Sequence, residues 1–349
     1  MFDWLRKQAP PAPAPAAAAE PAAPWAVPHG GAATPDDIAA CFRLLLGRAP
    51  NREEWRGHAA RAGEDLPGVV ASYLNSLEFA RRGLVRADHL GGIDLAELEG
   101  FRIYTARGDA AVGDHVRQGA YEPEVTAVFR RLLRPGMGVI DLGANIGFFT
   151  MLSAFLVGPA GWVLAMEPNP ANVKLLEASR RANGFGQVVV CQLAGGRAPG
   201  LLVLNASYSN GTTSALPDDA NALFGAEVVP CVRADSLVPD GRRVDLIKVD
   251  VEGAEYNALL GCTGVIARDR PRIVSEFSPN LMPGISGISG PDYLRWLAGL
   301  GYGVRVVQLD GSTGPAASAE AVMAEHEARG TDHLDLLAEP ESVIRSGGA

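Results

Sequence analysis

The stretch that most constrains the fold is GVIDLGANIGFFTMLSAF, residues 138–155. An apolar run ends in an acidic residue, Asp141; Gly143 and Gly147 then bracket a short turn, and a second apolar run follows. This order is typical of a buried strand that turns sharply into a helix whose first N–H groups are exposed to a ligand. From about residue 100, further apolar segments alternate with helical patterns. The alternation predicts an α/β, doubly wound fold with a mostly parallel sheet covered on both faces.

The predicted elements follow from this periodicity. The sequences FRIYTAR and EPEVTAVFRRLLRPG predict a lead-in strand and a helix that ends at Pro135-Gly136. Seven further strands are predicted, at 138–142, 162–167, 187–193, 244–250, 272–277, 303–308 and 333–338. Helices are predicted between most of them, notably at 147–157, 170–183, 253–261 and 291–300.

The N-terminal part of the chain differs in composition. Residues 1–33 are dominated by Ala and Pro, which predicts a disordered tail and linker. Residues 34–92 read as a small helical module. In TPDDIAACFRLLLG, Thr34 is the expected N-cap and Gly47 the stop, and LPGVVASYLNSLEFARRG predicts a second helix. The module resembles a small helical module of unassigned function that is often fused to bacterial surface and glycan-related proteins, which implies docking to a protein or a glycan.

Composition excludes several classes of function. The net charge is −9 and the arginines are scattered, so we expect no nucleic-acid partner. The four cysteines are widely spaced and form no C-x-x-C pair, which indicates reduced thiols in a cytoplasmic protein. Residues 146–166 carry no charge, but Gly158-Pro159 interrupts them after one helix length. We therefore expect a helix, a turn and a strand there, and no integral membrane span.

Polar residues collect where the predicted strands end. In doubly wound sheets this edge binds ligands. The second strand ends in AMEPNP, with Glu167 suited to two ribose hydroxyls and Asn169 beside it; the third ends near Ala194. A nicotinamide-binding loop would normally read G-x-G-x-x-G, whereas this turn has Asn145 between its glycines. Asp141 would sit badly beside a pyrophosphate, so a cofactor with cationic groups, S-adenosylmethionine, fits better.

Four segments together resemble the FkbM family of S-adenosylmethionine-dependent methyltransferases over residues 100–340. They are YEPEVTAVFRRLLRPGMGVIDLGANIGFFT, AMEPNPANVKLLEASRRAN, VDLIKVDVEGAEYNALLG and RPRIVSEFSP. The resemblance implies a methyltransferase domain over 100–349 with a seven-stranded, Rossmann-like sheet whose last strand, in DHLDLLAEP, is antiparallel. It also implies cofactor contacts: Asp141, Gly143, Ala144, Asn145 and Gly147 at the methionine end, Glu167 at the ribose, Ala194 near the adenine, and Tyr121 and Glu122 closing over the site.

The implied reaction is O-methylation of a hydroxyl on a sugar, a glycan or a related small molecule. Such an oxygen needs a base or a metal. Asp250 and Glu252, in DVEGAE at the end of the fourth strand, are the expected catalytic carboxylates, with Glu276 on the neighbouring strand. They could equally hold a divalent ion such as magnesium. His115 is the best histidine candidate for a base, and neither His326 nor His333 is given a role.

Residues 195–235 do not fit the plain fold. They predict an inserted strand, a polar loop SYSNGTTS and another strand, and the loop is suited to hydrogen-bonding a sugar. Two other functions stay open. The chain could be a non-catalytic protein that binds the cofactor and docks to a partner, or a nicotinamide-dependent oxidoreductase, which the spacing of the glycine turn disfavours.

Overall fold

The computed structural model describes residues 31–82, 92–207 and 209–341. The chain divides into two compact units, Met1–Val85 and Arg86–Ala349. Most of the tail predicted for residues 1–33 lies outside the described residues. Among the helices that the structure describes, none is long and apolar enough to cross a membrane.

The first unit is helical. A π-helical turn over Phe42–Leu46 follows its first helix and ends at Gly47, whose φ of 69° is left-handed. Thr34 caps the first helix, and the Asp37 side chain completes a capping box. The unit's helices are α1 (Pro35–Cys41), α2 (Arg52–Ala59), α3 (Leu66–Leu74) and α4 (Leu77–Arg81).

The prediction of a single helix from residue 66 onward is wrong, because the structure divides this segment into α3 and α4. The Ser76 hydroxyl accepts a hydrogen bond from the N–H of Phe79 at 3.0 Å. This side-chain cap replaces the backbone bond that a continuous helix would make, since serine competes with helical hydrogen bonding.

The second unit is an α/β domain. Its helices are α5 (Gly113–Arg117), α6 (Pro123–Leu132), α7 (Phe148–Val157), α8 (Pro170–Asn183), α9 (Ala220–Gly225), α10 (Glu255–Leu260), α11 (Thr263–Asp269), α12 (Met282–Ile285), α13 (Gly290–Gly299) and α14 (Ala319–Arg329). Its strands are β1 (Ile93–Leu98), β2 (Phe101–Ala106), β3 (Gly138–Leu142), β4 (Trp162–Met166), β5 (Val188–Cys191), β6 (Ala194–Gly195), β7 (Gly200–Ser207), β8 (Asn210–Ser214), β9 (Glu227–Val232), β10 (Leu246–Val249), β11 (Arg272–Phe277), β12 (Tyr302–Val306) and β13 (Leu334–Pro340).

The main sheet has seven strands in the order β12-β13-β11-β10-β3-β4-β5. All neighbours are parallel except β13, which runs antiparallel to β11 and to β12. The predicted doubly wound α/β fold and its antiparallel last strand are therefore confirmed. The strand order reverses between β3 and β10, which is where such sheets leave a crevice for ligands.

Both faces of the sheet are buried, which explains the continuous apolar strands. Along β3, Val139 enters one core cluster and Ile140 the other. Helices α5 to α8 contribute to the first cluster, and α10, α11, α13 and α14 contribute to the second. A ligand can therefore reach the sheet only at the ends of its strands.

The insertion after β5 forms a second sheet in the order β6-β9-β7-β8. Strands β7 and β8 form an antiparallel hairpin in which Ser207 pairs with Asn210. The prediction of a polar loop over SYSNGTTS is wrong for its second half, because residues 210–214 are strand β8. Threonine suits a half-exposed strand, so the hydroxyl-rich composition did not signal a loop.

Candidate active site

A cavity of about 700 Å³ opens at the ends of β3, β4, β10 and β11, next to the start of β13. This volume lies within the range of small-molecule sites. Its wall is rich in carboxylates, and among the described residues Lys248 is the one lysine that lines it.

Most of the predicted site residues line this cavity. From the expected cofactor set these are Tyr121, Glu122, Gly143, Asn145, Glu167 and Ala194, and from the expected catalytic set they are Asp250, Glu252 and His115. Asp141, Ala144, Gly147 and Asn169 do not line it.

The four residues outside the lining hold the backbone or side chains of the cavity wall in place. Asp141 is 1% exposed and accepts a hydrogen bond from Thr150 at 2.6 Å. Its other oxygen, Oδ1, is buried and has no hydrogen-bond partner among the described residues. Gly147 starts α7 with a φ of 98°, and a Cβ there would press on Leu176. Ala144 and Asn169 bond through their backbones, the first to the carbonyl of Met166 and the second to the carboxylate of Glu167.

Glu167 is fixed at the end of β4 by backbone donors on both sides. Its Oε2 accepts the N–H of Asn145 at 2.9 Å, and its Oε1 accepts the N–H of Asn169 at 2.8 Å. Burial raises the pKa of this carboxyl to about 7, although these hydrogen bonds act in the opposite direction. Each oxygen keeps acceptor capacity, so the group can still receive hydroxyl hydrogen bonds from the cavity.

The backbone is strained at several points of the cavity wall. Glu122, Asn145 and Glu252 have φ values of 40°, 50° and 54°, in the left-handed region that non-glycine residues seldom adopt. Arg270, at the end of α11, is the other such residue in the described ranges. Strained backbone of this kind concentrates at functional sites. Glu122 occupies the N-cap of α6 without a side-chain cap hydrogen bond, so capping does not explain it.

Lys248 is the electrostatic centre of the wall. Its side chain is 6% exposed, its Nζ lies 2.8 Å from Asp250 Oδ2, and it stacks 4.9 Å from the centroid of the Phe149 ring. Burial acts to lower the pKa of Lys248, but Asp250, Asp141 and Glu122 outweigh it and raise the pKa above its ordinary value. The lysine is therefore a permanent cation at neutral pH.

The carboxylates around this cation differ in their proton affinity. Burial opposes ionisation of Asp250, but the Lys248 ammonium and a hydrogen bond with Glu276 hold its pKa below its ordinary value. Burial and the neighbouring Asp250 charge raise the pKa of Glu276 well above its ordinary value. Burial also raises the pKa of Glu122 to about 8, and it raises the pKa of Glu252 above its ordinary value. The wall thus holds ionised and protonated carboxyls side by side at pH 7.

The tip of the β7–β8 hairpin closes one side of the cavity. Asn210 Oδ1 accepts a hydrogen bond from the Asn145 side chain at 3.2 Å. The carbonyl of Ser209 accepts one from Asn172 at 2.7 Å, and the Ser209 hydroxyl donates to Asp109 at 3.0 Å. Asn172 also contacts Glu167, at 3.5 Å. One hydrogen-bonded network therefore connects the insertion to Glu167 and to the glycine turn.

Sequence reasoning missed the contribution of the last strand. Asp332, His333 and Asp335 all line the cavity, and Asp335 pairs directly with Glu276. Burial raises the pKa of Asp335 to about 6. The signal was available, because an antiparallel strand begins at the edge where its parallel neighbours end.

The magnesium alternative gains no support from the arrangement of side chains. Among the described residues, no group of three or more His, Cys, Asp or Glu side chains is placed to hold a metal ion. The Lys248 ammonium lies against Asp250, the position that a cation would otherwise take.

A family model described as the methyltransferase FkbM domain matches residues 141–304. These residues run from the glycine turn to β12 and include Glu167, Lys248 and Glu276.

Curated relatives match about a third of the chain. The ribosomal RNA large subunit methyltransferase E of Alcanivorax borkumensis is 33% identical over 124 residues, which cover 34% of this chain and 57% of that protein. Methyltransferase 1 of Beauveria bassiana is 30% identical over 143 residues, which cover 35% of this chain and 57% of that protein. The chain thus spans little more than half the length of these two relatives.

Among solved structures, the methyltransferase FkbM of Methylobacillus flagellatus is 14% identical to this chain. The match covers 86% of this chain and 58% of that one, with a TM-score of 0.37.

Proposed function

The chain belongs to the FkbM methyltransferase family, and from that premise we propose that it is an S-adenosylmethionine-dependent O-methyltransferase. We propose as its acceptor a hydroxyl group of a sugar, a glycan or a related small molecule. The assignment divides the cavity into a cofactor side at β3, β4 and β6 and an acceptor side at β10, β11 and β13.

The residues on the cofactor side fit S-adenosylmethionine. Glu167 is anchored by two backbone N–H groups and can accept hydrogen bonds from two ribose hydroxyls. Ala194 and Gly195 are small and leave space for a flat ring. When bound, the cofactor supplies an electrophilic methyl group.

The residues on the acceptor side suit a neutral, hydroxylated molecule. The pKa of Asp250 is lowered and that of the neighbouring Glu276 is raised, so this wall offers both hydrogen-bond acceptors and donors. The β8 residues Asn210, Gly211 and Thr213 add amide, backbone and hydroxyl groups at the facing side. Such mixed polar groups are what a sugar ring requires.

Three matched relatives are named as ribosomal RNA methyltransferases, so an RNA acceptor is the natural competitor. Glu122, Glu124, Glu252, Asp332 and Asp335 line the mouth and wall of this cavity. RNA binding relies on clustered basic residues, whereas Lys248, the lysine of the described lining, is already paired with Asp250, and the described lining contains no arginine. This lining favours the small hydroxylated acceptor.

The observation that carries the proposal is the anchored Glu167 facing the Lys248–Asp250 pair across one cavity. Isothermal titration with S-adenosylmethionine, S-adenosylhomocysteine and NADH tests the cofactor side. We expect binding of the first two, weakened at least about tenfold by Glu167→Ala, because a charge-assisted hydrogen bond contributes about 1.5–3 kcal/mol. Glu177→Ala, which removes an ion-paired helical glutamate, is the matched control.

Transfer of a labelled methyl group tests the acceptor side. The probes are methyl glycosides of glucose, galactose, mannose and rhamnose, with ribosomal RNA as the competing substrate. Labelled glycoside supports the proposal. NADH binding would replace it with the oxidoreductase, labelled RNA alone would overturn the acceptor class, and cofactor binding without any transfer would favour the non-catalytic alternative. Docking through residues 34–92 and a cytoplasmic location stay predictions.

A further inference from the structure

We propose that His333 is the general base that takes the proton from the acceptor hydroxyl, and that Asp332 is the positioning residue that fixes its tautomer. The inference rests on the proposed function and adds to it a catalytic residue that lies outside the region matched by the family model.

The fold places His333 on the acceptor side. It directly precedes β13, whose first residue, Leu334, pairs with Phe277 at the end of β11. The Thr331 hydroxyl donates to the carbonyl of His333 at 2.7 Å, which fixes the backbone from the other direction. His333 and Asp332 both line the cavity.

The pair has the geometry of an oriented base. His333 Nδ1 lies 2.8 Å from Asp332 Oδ1. An ionised carboxylate can only accept, so Nδ1 carries the proton and Nε2 is left with a free lone pair. A histidine held in this way by a carboxylate is the arrangement by which enzymes set the tautomer of a base.

The other candidates are less suited to take a proton. Asp250 is committed to Lys248 at 2.8 Å, which stabilises its ionised form and makes it a weak base. His115 also lines the cavity, but no side-chain hydrogen bond orients its ring among the described residues. Glu252 remains a competitor, and the test below includes it.

Acidic residues of the cavity wall surround His333. Its ring interacts electrostatically with Asp250, Glu252 and Asp335, which come from two different elements of the wall. In the transfer step the acceptor oxygen bonds to the methyl carbon as the methyl–sulfur bond breaks. The electron pair of that bond stays on sulfur, and the hydroxyl proton moves to Nε2. The ring is 44% exposed, so the proton can then pass to solvent.

Nitrogen-15 NMR of the full chain saturated with S-adenosylhomocysteine tests the geometry without an acceptor. We expect neutral His333 to carry its proton on Nδ1, and Asp332→Asn to shift the ring toward a mixture of tautomers. A proton on Nε2 in the unaltered protein, or no change in Asp332→Asn, would overturn the proposal.

Methyl transfer to the glycoside probes tests the role. His333→Ala should lower kcat at least about 100-fold, as loss of a general base does, with little change in KM and with recovery in added imidazole. S-adenosylhomocysteine binding in the same variant should stay intact. Three results would overturn the assignment of His333 as the base and leave the proposed function standing. They are retained transfer in His333→Ala, imidazole rescue in His115→Ala instead, and complete loss of transfer in Glu252→Gln instead. Loss of cofactor binding by the unaltered protein would count against the proposed function itself.

Discussion

At the scale of single residues, Lys248 is the positive charge with which the buried carboxyls of the cavity wall interact. It is buried beside Asp250 and balances Asp141 and Glu122 as well. Lys248→Met leaves Asp250 without a counter-charge, and breaking a buried pair in this way costs about 3–5 kcal/mol of unfolding free energy. Urea denaturation at pH 7.5 measures it. Lys174→Met, at an exposed helical position, is the control, and equal loss in both variants would contradict the account.

Glu122 makes stability depend on pH. Burial raises its pKa to about 8 in the folded protein, from 4.5 as the ordinary value. Between these values the folded chain holds a proton that the unfolded chain has released, so stability falls as pH rises from about 4.5 to about 8. We expect Glu122→Gln to flatten this part of a plot of Tm against pH. Glu97→Gln, on the exposed strand β1, should leave the slope unchanged; a steeper slope in Glu122→Gln would reverse the sign of the argument.

Glu252 has a strained backbone, and burial is the main cause that raises the pKa of its carboxyl. Glu252→Gly relieves the left-handed conformation, so we expect a gain of up to about 1 kcal/mol in stability together with slower methyl transfer. Glu252→Gln keeps the strain and removes only the charge, which separates the two effects. Thermal unfolding and the transfer assay measure them, and a destabilised Glu252→Gly would mean that its φ is not strained.

At the scale of elements, the β7–β8 hairpin is held to the cofactor side by Asn172. Asn172→Leu deprives the Ser209 carbonyl of its donor and Glu167 of a contact. A buried group left unpaired costs about 1–3 kcal/mol. We expect faster hydrogen exchange over residues 210–214 and weaker S-adenosylhomocysteine binding, whereas Asn221→Leu, at an exposed position of the same insertion, should change neither. Faster exchange with unchanged binding would show that the hairpin does not support Glu167.

The elements that the sequence predicted well are those with one dominant signal. Strand β3 and helix α7 follow from uninterrupted apolar runs on either side of a turn, and Gly143 is required there because a side chain would clash with the carbonyl of Asp250. Strand β8 was missed because its pairing with β7 is tertiary and its residues are polar. The break between α3 and α4 was missed because it depends on a single serine cap.

At the scale of the whole molecule, the cavity and its supporting cores lie in the unit Arg86–Ala349, and a separate cluster around Phe42 and Tyr73 stabilises the first unit. We therefore expect a chain beginning at residue 92 to bind S-adenosylhomocysteine with the affinity of the full chain. Isothermal titration of both proteins measures this. A marked loss of affinity in the shortened chain would show that residues before 92 contribute to the site.

The cofactor side was more predictable than the acceptor side for a topological reason. Asn145 and Glu167 follow strands that are adjacent both in the chain and in the sheet, so local motifs were enough to place them together. His333 and Asp335 reach the same cavity only because β13 inserts between β11 and β12. Asp141 was expected in the lining, but its side chain turns to Thr150 instead. Side-chain direction of this kind is set by packing.

The insertion of β13 between β11 and β12 also bears on biosynthesis. During translation, β3, β4 and β5 emerge long before the segment that separates β11 from β12. A nascent chain can therefore form the half of the sheet that holds Glu167 while the opposite half still lacks its central partner. The complete pocket exists only after Leu334–Pro340 has left the ribosome. A partly synthesised chain therefore lacks Asp332, His333 and Asp335, which complete the wall of the cavity.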